Sequence, residues 1–304
     1  MVEGLKLGIN TGFATNRYPE PEVWTKIVGE ILGLRYVQFV ADLLNPWFPD
    51  FIIKDQVRRI RKCAEKYRIN IDTTFLSAFT RVNQVLHPDP GIREVWVGYL
   101  KKFFRISREL GARGSGGHFG IFSVSDYNNP VRRRFIMKEG IRNWQRLSDY
   151  GKKIGFEFLI FEPMSIPREC AETIAKTKKL LKEVNSNASI PILLCLDVDH
   201  GDLQSKNPDD TNPYAWIREL APVSPVIHIK QSMKDKSGHW PFAEDYNRRG
   251  IIRPQKVIRA IEESGAKDVV LTFEFSFRER YPYEYRVLDD LKESVAYWRR
   301  YIKL

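Results

Sequence analysis

Four polar side chains interrupt otherwise apolar stretches of the sequence. Glu162 closes FEFLIFEP, Asp197 closes ILLCLDVDHG, His228 sits in PVIHIKQ and Glu274 in VLTFEFSF. A carboxylate or imidazole buried at the end of such a run is costly unless something pairs with it. Each has an ordinary explanation when taken singly. A glutamate after a strand can face a loop or cap a helix, DVDHG can be a turn, and a histidine in an apolar strand can be a hydrogen-bonded core residue. As a set they carry chemistry. Converging, the three carboxylates would repel and raise one another's pKa, and a divalent cation removes that conflict. Oxygen-rich ligation with one imidazole suits Mn²⁺, Mg²⁺ or Co²⁺ better than a thiolate-type Zn²⁺ site. One divalent ion is therefore expected, Mn²⁺ first, with Mg²⁺, Co²⁺ or Zn²⁺ as alternatives.

Such a site suits proton transfer next to a carbonyl. A ketose carbonyl and its neighbouring hydroxyl can chelate the ion, which stabilises the enediolate left when a carboxylate removes the proton between them. Returning the proton to the opposite face of the same carbon gives an epimerase. Returning it to the adjacent carbon gives an aldose–ketose isomerase, and both outcomes use one site.

Bringing four distant residues together requires parallel strands with a common end. Short apolar runs alternate with amphipathic helical patterns along the chain. The strands are LKLGIN, RYVQFV, INIDTTF, the GSGGHF stretch, FEFLIF, IPILLCLDV, PVIHIKQ and VVLTFEF. Between them lie patterns such as KDQVRRIRKCAEKY and REVWVGYLKKFFRISRELG, with apolar positions three and four apart. Eight such units predict a parallel sheet, and the absence of GxGxxG or GxxxxGK[ST] after the first strand favours a closed (β/α)₈ TIM barrel over an open sheet. The active site of this fold lies at the C-terminal strand ends, where the four residues fall. Alternation agrees: Phe156, Phe158, Ile160 and Glu162 are expected on one face, as are Thr272, Glu274 and Ser276.

At 304 residues, 43% hydrophobic and 29% charged, with no linker-like tract, the chain reads as one domain over residues 1–304. No apolar run is long enough to span a bilayer, so no membrane partner is expected. Cys63, Cys170 and Cys195 are widely spaced without a CxxC, which suits a reducing, cytoplasmic location. The net charge of +11 keeps a phosphorylated substrate in view, but much of it lies at helical spacing, as on a solvated face, so nucleic acid is not the expected partner. The aromatic content of 12% could serve a homo-oligomer interface or simply the core.

Further candidates surround the four. Lys230, Gln231, Lys234, His239 and Trp240, in and after the seventh strand, could hold a phosphate or terminal hydroxyl, or form a lid with Trp240 over the mouth. Asn10, Gln38 and His118 end earlier strands and could contact a sugar, and the glycines around His118 permit close backbone approach.

The motifs FEPMSIPRE (161–169), LDVDHG (196–201), HIKQ (228–231), GHWPFAEDYNRRGII (238–252) and TFEFSF (272–277) resemble those of the xylose-isomerase-like barrels, specifically the sugar phosphate isomerase/epimerase family. That group includes tagatose 3-epimerase-like enzymes and endonuclease IV. The segment from His239 to Ile252 is similar to a narrower branch, the erythrulose-phosphate 3-epimerases. The resemblance implies that Glu162, Asp197, His228 and Glu274 are metal ligands and that Glu162 and Glu274 are the acid/base pair. It also implies that His200 binds the sugar, places Lys234 where related epimerases carry a substrate-touching Arg, and puts Arg168 and Glu169 in a charged loop. C3 epimerisation of a ketose or ketose phosphate is the activity it favours. The rival reading is a metal-dependent endonuclease acting at abasic sites, served by His87, His118, His200, His228 and His239. Its pattern has an Asp two residues before a His, where this chain has Ser237 before His239, so a three-metal cluster lacks a ligand.

Overall fold

The computed structural model describes residues 4–234, 236–277 and 284–302. Its strands are β1 (Lys6–Asn10), β2 (Tyr36–Val40), β3 (Asn70–Phe75), β4 (Gly114–His118), β5 (Phe158–Glu162), β6 (Ile192–Asp197), β7 (Val226–Ile229), β8 (Gln231–Met233), β9 (Lys236–Trp240) and β10 (Val270–Phe273). β1–β7 and β10 form a closed eight-stranded parallel barrel, with β1 hydrogen-bonded to β10 and β2. β8 and β9 form an antiparallel hairpin inserted after β7. The expected (β/α)₈ barrel is what the chain forms.

The helices α1 (Pro21–Lys26), α2 (Asp50–Lys66), α3 (Pro90–Glu109), α4 (Val124–Asn128), α5 (Pro130–Ile154), α6 (Ile174–Asn185), α7 (Pro213–Leu220), α8 (Glu244–Arg249), α9 (Pro254–Ser264) and α10 (Glu284–Arg299) return the chain between strands. Several start the same way, with a polar cap followed by proline. Asp89 accepts from Ile92 N at 3.0 Å before Pro90, and Asn129 accepts from Val131 N and Arg132 N before Pro130. The cap satisfies N–H groups left over at the helix start, and proline there loses no hydrogen bond. On α3, Val97, Leu100, Phe103, Phe104 and Ser107 recur at helical spacing and are buried against the barrel.

Two apolar layers result. Phe75, Phe158, Ile160, Cys195 and Val226 fill the barrel interior, while a larger layer including Trp24, Trp144, Trp216 and Trp298 lies between strands and helices. Alternation along β5 therefore sends Phe158, Ile160 and Glu162 inward and Leu159 and Phe161 outward. Phe156, expected on the inward face, precedes β5 and packs outside the barrel against Phe104. The glycines of β4 serve close strand approach: a Cβ on Gly116 would lie 1.7 Å from the Ile160 carbonyl oxygen of β5.

The two barrel ends differ. At the N-terminal end Arg113 bridges the buried Asp72 at 2.9 Å, Glu157 at 3.3 Å and Asp268 at 3.5 Å, and Lys6 also pairs with Asp268. The C-terminal end carries the long connections that follow β3, β5, β6 and β7. These build a pocket.

Candidate metal centre and pocket

The strand ladder delivers the four polar residues to one rim. Glu162 and Asp197 are the last residues of β5 and β6, Asp197 pairs in register with His228 of β7, and His228 pairs with Thr272 of β10, two residues before Glu274. Because side chains alternate along a strand, Thr272 and Glu274 share a face. One ligand atom from each of Glu162, Asp197, His228 and Glu274 lies within 4.8 Å of all the others. His228 Nδ1 is the hub, at 3.2 Å from Glu162 Oε1, 3.5 Å from Glu274 Oε1 and 3.9 Å from Asp197 Oδ2. His228 is fully buried, and Glu162 and Asp197 are 3% and 2% exposed.

The other face of the imidazole explains this orientation. His228 Nε2 lies 2.6 Å from Gln38 Oε1, which also accepts from Asn10 Nδ2 at 2.8 Å. With the Nε2 N–H given to Gln38, Nδ1 is the nitrogen that faces the carboxylates, and the one that would offer its lone pair to an ion on losing its own proton. Cys195 Sγ is 3.2 Å from the same Nε2, and burial pushes its thiol up, so it stays protonated and outside the ligand set.

A cation already sits beside the acids. The fully buried Lys230 ammonium bonds Asp197 Oδ2 and Glu274 Oε2 and lies 3.0 Å from His239 Nδ1. Burial pushes Glu274 up, but His228 and Lys230 more than offset it and hold the carboxyl well below its usual range. Asp197 follows the same logic: burial raises it, and His200 and Lys230 bring it below its usual value. Burial alone would push the His228 imidazole down, but Cys195, Glu274 and Glu162 beside it hold it well above its usual pKa, so within this acid cluster it carries a second proton. Giving up that proton to bind an ion leaves three carboxylates and one ammonium, a formal charge of −2. That charge and the oxygen-rich donor set fit one divalent cation.

Above the cluster lies a cavity of about 420 Å³, lined in part by Asn10, His118, Glu162, His200, His239 and Glu274. His118 Nε2 is 3.4 Å from Glu162 Oε2, and burial holds the imidazole below its usual pKa, hence neutral at neutral pH. His200 Nδ1 donates to the Pro163 carbonyl at 2.9 Å, and its Nε2 lies 3.7 Å from Asp197 Oδ2. A larger cleft of about 670 Å³ lies between α5 and α6, away from these carboxylates.

Other candidates turn elsewhere. The Gln231 amide donates to Asn247 Oδ1 at 2.8 Å and accepts from Ile252 N at 2.9 Å, so it braces the loop after the hairpin and does not line the cavity. Gly250 makes room for it, since a Cβ there would lie 2.1 Å from that amide. Lys234 is exposed at the hairpin turn, and Trp240 stacks on Tyr246 at 5.3 Å. Gln38 reaches His228 and is absent from the cavity lining. Arg168 donates to the Phe122 carbonyl, and Glu169 forms a two-point pair with Arg81 at 2.7 and 2.6 Å. His87 accepts from Asp89 N at the start of α3, apart from the other histidines. The Ser237 backbone lies in β9, and its side chain is outside the described residues. Sequence reasoning missed Arg17, Phe79 and Arg81, which line the mouth. They lie in loops whose course no periodic pattern predicts.

Comparison with known proteins decides the family. A model of the xylose isomerase-like TIM barrel matches residues 30–301. The chain belongs to that family. It is 36% identical over 299 residues to D-erythrulose 1-phosphate 3-epimerase of Brucella abortus (strain 2308), covering 98% of this chain and 96% of the relative. The crystal structure of a putative xylose isomerase from Rhodospirillum rubrum superposes on this barrel with a TM-score of 0.86 at 26% identity, over 98% of this chain and 99% of that one. D-psicose 3-epimerase from Clostridium cellulolyticum H10, crystallised with D-tagatose, shares the fold with a TM-score of 0.71 at 16% identity, over 98% and 99% of the two chains. No described helix of this family member is long and apolar enough to cross a membrane.

Proposed function

We propose that this protein is an epimerase acting at C3 of a short ketose phosphate, with erythrulose 1-phosphate as the first candidate, using one divalent metal ion. The observation that carries the reading is the convergence of Glu162, Asp197, His228 and Glu274 within 4.8 Å, with Glu162 and Glu274 also lining the cavity. The relative at 36% identity supplies the substrate class. These four residues would hold the ion, Mn²⁺ in our reading. When bound, it would supply Lewis acidity toward the oxygens on C2 and C3. Three free, buried cysteines suit the cytoplasm as the working compartment.

The proton transfers belong to the glutamates. For one epimer, Glu274 enters as a carboxylate and takes the C3 proton. The C–H electron pair becomes the C2–C3 double bond of the enediolate, with negative charge on the C2 oxygen. Glu162, entering protonated, delivers its proton to the opposite face. The cycle ends with Glu274 protonated and Glu162 ionised, the state that serves the other epimer. Exchange with solvent interconverts the two states.

The test is an erythrulose 1-phosphate assay in D₂O with Mn²⁺, scoring deuterium at C3 together with inversion. Glu162→Gln and Glu274→Gln should fold, as judged by circular dichroism, while each loses inversion by about 10³-fold. Inversion surviving in either variant, or an aldose as the wild-type product, overturns the assignment.

A further inference from the structure

Both glutamates present one oxygen to His228 Nδ1 and turn the other away. Glu162 Oε1 and Glu274 Oε1 lie 3.2 and 3.5 Å from that nitrogen. Glu162 Oε2 lies instead 3.4 Å from His118 Nε2, and Glu274 Oε2 accepts from Lys230 Nζ. An oxygen spent on a metal is a poor proton acceptor, so the turned-away oxygens are the ones free to move the C3 proton. Glu162 Oε2 is thus faced by His118, and Glu274 Oε2 is bonded by Lys230 with His239 Nδ1 further off at 3.5 Å.

The ladder makes this arrangement general to the strands and not a local accident. His118 of β4 is in register with Glu162 of β5. Ile229 is in register with Phe273, and Glu274 N donates to the Ile229 carbonyl at 3.1 Å, so Lys230 stands beside Glu274 one step further along. Twice, then, a parallel neighbour places a nitrogen against the working oxygen of a glutamate. Both supports are themselves held. His118 is 7% exposed with Phe75 against its ring at 5.6 Å, and Lys230 is anchored by Asp197 as well as Glu274.

We infer that His118 and Lys230 are positioning residues, each fixing the working oxygen of one glutamate, so that His118 serves one face of C3 through Glu162 and Lys230 serves the other through Glu274. This moves both away from phosphate or hydroxyl binding and rests on the epimerase reading above. Neither touches the reacting carbon. Displacing a proton-transfer group by about 1 Å costs on the order of 10²-fold in rate, which sets the size of the effect.

The experiment measures C3 deuterium exchange separately from D- and L-erythrulose 1-phosphate in D₂O with Mn²⁺. Glu162→Gln and Glu274→Gln each identify the epimer whose proton that glutamate removes. His118→Ala should lose exchange, by about 10²-fold, from the same epimer as Glu162→Gln, and Lys230→Met from the same epimer as Glu274→Gln. Exchange from the other epimer falls by clearly less in each case, while inversion falls in both directions. His118→Gln and Lys230→Gln, which keep a donor, should recover to within about tenfold of wild type. Equal loss from both epimers in either alanine or methionine variant overturns the proposal. A crystal structure of His118→Ala gives a readout independent of turnover. A rotated Glu162 carboxylate supports the positioning role, and an unmoved one overturns it whether or not the substrate assignment survives.

Discussion

At the residue scale, the centre depends on one imidazole presenting the correct nitrogen. Gln38 fixes it through a 2.6 Å contact to His228 Nε2, and Asn10 fixes Gln38 in turn. Gln38→Leu removes the acceptor and leaves a buried N–H unsatisfied, so Mn²⁺ affinity should fall about 10–100-fold by calorimetric titration. Gln38→Glu keeps an acceptor oxygen and should bind Mn²⁺ more tightly than the leucine variant. Unchanged affinity in Gln38→Leu would mean that Nδ1 is held by the carboxylates alone. The four candidate ligands were legible in the sequence because each is a polar residue at the end of an apolar run. Gln38 was legible only as a polar residue that could contact a sugar, since nothing in RYVQFV says that its amide reaches across the barrel to β7.

At the element scale, register does most of the positioning, and the opposite end of the barrel keeps the register in place. Arg113, entering β4, ties Asp72 of β3 to Glu157 and Asp268, the residues just ahead of β5 and β10. Asp72 is 3% exposed, so Arg113→Met would strand a buried carboxylate. We expect a loss of about 2–3 kcal/mol in urea unfolding, somewhat below the cost of breaking a fully buried pair because the guanidinium is part-exposed. The pocket lies at the far end of the strands, so turnover by the folded fraction should be little changed. A loss below about 0.5 kcal/mol would make this an ordinary surface pair. All eight barrel strands could be read from apolar runs and turn residues. The β8–β9 hairpin leaves no such pattern, because its short strands pair with each other and not with the barrel.

At the scale of the whole molecule, the charge of +11 and the acidic floor of the pocket point in different directions. Many surface cations are neutralised locally, as in Arg59–Glu22, Arg146–Glu94, Arg259–Glu263 and Lys179–Glu183. Among the described residues a single group of four acids and imidazoles gathers as a metal site, with no second cluster beside it. Elemental analysis after reconstitution should therefore give one divalent ion per chain. Binding to abasic duplex DNA should be salt-labile, with Kd no tighter than about 10⁻⁶ M at 0.15 M salt by fluorescence anisotropy. Three ions per chain with cleavage of that duplex would reinstate the endonuclease reading.

The sequence alone determined the barrel and the identity of the rim residues, because both are written in local periodicity. A period of two or of 3.6 fixes which side chains point inward, and a polar residue among apolar neighbours marks itself. Only the tertiary structure decided the partners. Gln231, expected at the substrate, folds back to brace its own loop. Gln38 turns to His228, and Lys230, one residue before Gln231, reaches two carboxylates from different strands. Those contacts span up to 190 residues and depend on strand register and barrel closure, which no local pattern encodes.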